Sequence, residues 1–165
     1  MSISKYVSDA SWSITSIDLS NRPSPQEWVS LGLLAEVFDI VWHKWGELII
    51  TSAFRSLLVN AELRRRGYPA AKYSQHCAGE AVDFYPSHSP IEDIYTWIAT
   101  QPDFSGFGQL IYYPQAKRPF LHLSIERPGR RPRNQVLVHV NGKYRSGDDV
   151  SVVVFREEEE GEISA

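Results

Sequence analysis

Apolar residues recur every three or four positions from Trp28 through Leu31, Leu34, Phe38 and Val41 to Trp45, the spacing of one buried stripe on an α-helix. Just before them, Ser24-Pro25-Gln26-Glu27 supplies a cap serine, a proline suited to the first helical position and a glutamate three residues after the cap. Gly46 follows the last apolar position, so the pattern predicts a long helix ending there. The period then changes. Residues 47–52 are β-branched and short and predict a strand, 57–66 a helix stopped by Gly67 and Pro69, and 68–75 a loop. A strand is predicted over 80–85, a helix over 91–100 after Pro90, and strands over 107–113, 119–126 and 135–140. Asn141-Gly142 is a hairpin turn signal leading into Lys143 and Tyr144. Residues 150–155 suit a last strand, and the acidic run from Glu157 to Glu160 predicts a solvated, disordered tail over 157–165. Neither a repeat nor a linker divides the chain, so one domain over 1–156 is expected.

Alternation along a strand sorts its side chains into two faces. Over 119–126, Leu121, Leu123 and Ile125 form an apolar face, and Phe120, His122, Ser124 and Glu126 form the other. Over 80–85, Val82 and Phe84 part from Ala81, Asp83 and Tyr85. Asp83 and His122 can therefore share an open face, and a turn at Cys77-Ala78-Gly79 lets His76 approach Asp83. Two imidazoles and a carboxylate suit zinc, leaving one tetrahedral position open to water whose pKa the metal lowers to about 7. The same spacing also suits a hydrogen-bonded structural pair, and spacing alone does not choose between them.

Composition narrows the picture only in places. The chain has 165 residues, 42 % of them hydrophobic and five of them Trp, enough for a core of its own. A net charge of -3 argues against bulk nucleic-acid binding. Arg127, Arg130, Arg131 and Arg133 nevertheless form a local basic cluster, either a solvated loop or a contact for an anionic polymer or partner. The single cysteine, Cys77, excludes an internal disulfide framework and reads as a small, half-buried side chain. No basic segment followed by an apolar run opens the chain, and no stretch approaches the roughly 20 apolar residues of a membrane span. Synthesis in the cytoplasm without a signal peptide is expected.

Four stretches follow one another: T-S-A-F-R-S (51–56), S-Q-H-C-A-G-E-A-V-D-F (74–84), F-G-Q-L-I-Y-Y (107–113) and F-L-H-L-S (120–124). Together they resemble the D-alanyl-D-alanine carboxypeptidase type of zinc peptidase, a group that includes phage cell-wall endopeptidases and the hedgehog-like fold. Its patterns are S-G-Y/F-R-S, S-x-H-x-x-G-x-A-x-D, a strand like D-Q-L-I, and W-x-H-x-S. The later R-N-Q-V-L-V and N-G-K-Y segments resemble the tail of phage and prophage-type members, and the likeness runs over roughly residues 14–145. It implies an α+β fold with a central, mostly antiparallel sheet and helices packed on it. It also implies zinc held by His76, Asp83 and His122, with Ser74 contacting substrate or supporting the ligands. Arg55 is implied to hold a substrate carboxylate or carbonyl, a role its planar fork suits. Gln109 is either a site contact or a structural hydrogen bond, and Gly79 fits the required turn because glycine tolerates positive φ. The implied activity is cleavage of D-amino-acid-containing stem peptides of peptidoglycan, by an endolysin or a virion-associated enzyme that reaches the wall after phage-type release.

Two positions depart from the family pattern. Ala53 stands where the family usually has glycine, at little cost if φ there is negative. More consequentially, residues 112–119 contain no carboxylate, although the family's catalytic glutamate generally lies there. Tyr113, His88, Glu80 and Glu126 are the replacements to weigh. Glu126 stands about 13 Å along the strand from His122 at about 3.3 Å per residue, and a tyrosine, with an ordinary pKa of about 10, is a better oxyanion donor than base. The Tyr112-Tyr113 end of its strand is therefore expected beside the metal, with Tyr113 as donor. The missing glutamate supports a second reading, a metal-stabilised binding or assembly module with phage structural proteins as partners. A zinc-free globular domain is the third.

Overall fold

The computed structural model describes residues 2–101 and 106–147. The strand expected over 150–155 and the acidic tail over 157–165 lie outside the described residues. The described residues form three α-helices, α1 (Pro25–Trp45), α2 (Leu57–Arg65) and α3 (Ile91–Thr100), and six strands, the last four of which follow one another after α3. The strands are β1 (Leu48–Ser52), β2 (Ala81–Pro86), β3 (Phe107–Tyr113), β4 (Phe120–Ile125), β5 (Gln135–Val140) and β6 (Lys143–Ser146). Two single-turn 3-10 segments, Asp9–Ser13 and Gln75–Ala78, precede α1 and β2.

Helix α1 starts at the capping box that its sequence announces: the Ser24 amide donates to the Glu27 carboxylate at 2.5 Å. Its stripe of Leu31, Leu34, Phe38 and Val41 is fully buried, and Gly46 ends the helix with φ of 83°.

The sheet order is β1-β2-β4-β3-β5-β6, antiparallel throughout except for the parallel pair β3–β5. One face is covered by α1 and α3, which pack on β2, β3 and β4. Val82, Phe84, Leu121 and Leu123 face that layer with no exposed surface. Phe38 packs its edge on Phe84 with ring centroids 5.4 Å apart, and Trp12 packs on Phe38 at 5.3 Å, which ties the N-terminal segment to the core. The α+β architecture with a mostly antiparallel sheet is thus the one expected. The opposite face carries Asp83, His122, Ile111 and Tyr113, and this is the face that holds the chemistry.

Candidate metal centre and its cavity

Strand register builds the site. Ser52 pairs with Asp83, Asp83 with His122, His122 with Ile111, and Ile111 with Leu137, so a single row crosses five strands. Asp83 and His122 stand directly opposite each other, and His122 Nδ1 lies 2.8 Å from Asp83 Oδ1.

His76 joins them from the turn before β2. Ser74 caps that turn, its hydroxyl accepting the His76 amide at 3.3 Å. Gly79 ends it with φ of 70°, where an added Cβ would stand 2.8 Å from the Glu27 carbonyl oxygen of α1. The turn returns the chain so that His76 Nε2 lies 3.3 Å from Asp83 Oδ1. His76 Nδ1 lies 2.6 Å from the Ala53 carbonyl oxygen. A carbonyl only accepts, so Nδ1 carries the proton and Nε2 presents its lone pair to Asp83 and His122. Ala53 itself has negative φ, since only Asn134 and Asn141 among the described non-glycine residues have positive values.

One ligand atom from each of His76, Asp83 and His122 fits within a 4.8 Å group. Burial pushes the pKa of His76 down and keeps the imidazole neutral, the form that binds metal. Burial pushes Asp83 up, but the hydrogen bond from His122 Nδ1 opposes it, and the carboxyl is held well below the usual range. A neutral, oriented imidazole and an ionised carboxylate are donors that could hold a metal ion such as zinc.

Arg55 meets this group from the chain between β1 and α2. Its Nη2 donates to Asp83 Oδ2 at 3.2 Å and its Nε to Ser52 Oγ at 2.9 Å. Both partners of the ion pair are largely buried, with 14 % and 11 % of their side chains exposed. Arg55 therefore orients Asp83, as well as facing the cavity. Asn21, which the sequence reading did not single out, fixes the same segment: its amide donates to the Ser13 and Phe54 carbonyls, and its oxygen accepts the Ser56 amide at 2.7 Å.

A cavity of about 820 Å³ opens over the group. Arg55, Ser74, Gln109 and Tyr113 all line it. Gln109 spends its side-chain amide on Gln135 at 2.7 Å and its backbone amide on the buried Ser124 hydroxyl at 2.8 Å. The two tyrosines part company. Tyr112 turns to the core face and donates to Glu92 of α3 at 2.7 Å, whereas Tyr113 turns to the cavity and stacks on Phe120 with centroids 4.5 Å apart. Burial, then the Tyr144 hydroxyl at 3.0 Å, then the charge of Asp83 push the Tyr113 phenol upward, so it stays protonated at neutral pH. His139 and Tyr144 complete this aromatic wall. They too were not singled out, although the Asn141-Gly142 turn pairs them directly.

Of the four candidate bases, only Tyr113 lines this cavity. Glu80 pairs with Arg127 at 2.9 Å and Glu126 with Arg133, both facing a neighbouring cavity, and His88 is exposed and lines neither. Asp83 is the only carboxylate among the described residues of the cavity wall. Cys77 is half-buried and burial pushes its thiol up, which leaves it protonated and outside the donor set.

Among the described residues no helix is long and apolar enough to cross a membrane. No curated protein matches the chain. A family model described as peptidoglycan L,D-endopeptidase MepK matches residues 29–130, a span that takes in most of α1, the Arg55 segment, the His76 turn and all of β2, β3 and β4. The chain belongs to that family, and it is a metallopeptidase of the peptidoglycan-acting kind.

Proposed function

We propose that the chain is a zinc-dependent peptidase that cuts bonds flanked by D-amino acids in peptidoglycan stem peptides, as a cell-wall lysin of phage or prophage type. The observation that carries this reading is the group of His76, Asp83 and His122 within 4.8 Å at one cavity, with Arg55 bonded to Asp83. The phage setting draws on the R-N-Q-V-L-V and N-G-K-Y segments, which form β5 and the β5–β6 hairpin.

His76, Asp83 and His122 would hold the zinc, which supplies Lewis-acid polarisation of the scissile carbonyl and lowers the pKa of water at the site. The proton on His76 Nδ1 stays with the Ala53 carbonyl, so the ligand keeps one tautomer throughout. Arg55 spends Nη2 and Nε on Asp83 and Ser52 and turns its remaining Nη1 to the stem's carboxylate or carbonyl. Tyr113, held protonated, donates a hydrogen bond to the oxygen on which charge develops. Ser74 serves by capping the turn that carries His76.

Digestion of purified muropeptides tests the reading. Cleaved stems and new amines should form with zinc-loaded protein and disappear after chelation. Zinc uptake without either product would favour the metal-stabilised binding or assembly module, the reading that the absent glutamate supports.

A further inference from the structure

The basic cluster that the metal site does not use builds a second cavity, of about 770 Å³, directly behind the His76 turn. Lys72, Arg127, Arg130, Arg131 and Arg133 line it against two carboxylates, Glu80 and Glu126. In a chain of net charge -3 this is a local reversal of sign. Each carboxylate is already engaged, Glu80 by Arg127 and Glu126 by Arg133, so the pairs orient two guanidinium groups without cancelling the remaining cations. Arg130 and Arg131 make no ion pair among the described residues, and the turn that holds them is closed by the Arg130 amide on the Arg127 carbonyl at 3.0 Å. The two cavities share Tyr73, Ser74, Gln75 and Arg133 as common wall. An extended peptide lying over this common wall would touch both cavities.

From this arrangement we infer that the basic cavity is a substrate subsite that reads the free carboxylates of a stem peptide a few residues from the scissile bond. The inference rests on the proposed peptidase reading and adds its specificity. Peptidoglycan stems carry such carboxylates, some of them amidated in particular walls, and a guanidinium distinguishes a carboxylate from a carboxamide by charge and by its two-point contact.

The test is direct binding of two stem peptides to zinc-loaded protein by calorimetry, one with free carboxylates and one with the same carboxyls amidated. The acidic stem should bind about tenfold more tightly, and the Arg130→Gln, Arg131→Gln double variant should bring that ratio close to one while its melting temperature and zinc content stay as in the parent. Equal affinity of the parent for both stems would overturn the subsite. So would a ratio that survives the double substitution. Binding of poly(glycerol phosphate) tighter than that of the acidic stem, lost in the variant, would overturn it by giving the cavity to a phosphate polymer. With cleavage followed separately on the same two stems, a parent that prefers the acidic stem yet cuts neither would refute the peptidase reading and leave the subsite standing.

Discussion

His76 Nδ1 and the Ala53 carbonyl oxygen are 2.6 Å apart. That contact joins the chain just after β1 to the turn before β2, and the Arg55 amide returns the link by donating to the His76 carbonyl at 3.1 Å. The segment that presents Arg55 and the turn that presents His76 are therefore one hydrogen-bonded unit, and the protein itself holds the His76 ring in one orientation.

Removal of a ligand is the simplest consequence to check. His122→Ala should leave the fold intact, since His122 faces the cavity opposite the core layer, yet it should weaken zinc binding by at least about 100-fold. Competition with a fluorescent chelator measures this. Parent-like affinity in the variant would remove His122 from the ligand set.

Arg55→Lys separates two roles of one side chain. An ammonium can keep a contact with Asp83 but cannot hold Asp83, Ser52 and a substrate carboxylate at once. Cleavage should fall by about 10- to 100-fold, with a smaller loss of zinc affinity. Unchanged kcat/KM on stem peptides would place Arg55 outside the chemistry.

Tyr113→Phe tests the oxyanion donor. The ring keeps its stacking on Phe120 and only the phenol is lost, so zinc content should hold while kcat drops by roughly 10²- to 10³-fold. A loss confined to KM would reassign Tyr113 to substrate binding.

Gly79→Ala probes the turn itself. The new Cβ would meet the Glu27 carbonyl at 2.8 Å in a backbone conformation with φ of 70°. The combined strain should cost about 2–4 kcal/mol, seen in thermal unfolding as a Tm lower by about 5–15 °C. An unchanged melting temperature would mean that the turn and α1 separate at no cost.

Much of this was open to reading from the chain. The stripe on α1 and its capping box announced the longest helix, and strict alternation placed Asp83 and His122 on a shared face away from Val82, Phe84, Leu121 and Leu123. Alternation also requires Tyr112 and Tyr113 to part, and the structure sends Tyr112 to Glu92. What stayed hidden depended on long-range pairing. The parallel pair β3–β5 follows from the path of residues 126–134, which carry no apolar period to reveal it. The Arg55–Asp83 pair depends on the irregularity between Ile50 and Ser52 that re-aims the end of β1, and a one-residue shift of this kind leaves no mark in the pattern. The Asn21 clamp is equally silent, since its three partners are backbone atoms of residues 13, 54 and 56.

Zinc-edge X-ray absorption on the purified, zinc-loaded protein tests the central assignment most directly. The geometry predicts one zinc per chain with two imidazole nitrogens at about 2.0–2.1 Å and a carboxylate oxygen at about 2.0–2.2 Å. A sulfur neighbour at about 2.3 Å, or a shell without two imidazoles, would contradict the assignment of His76, Asp83 and His122.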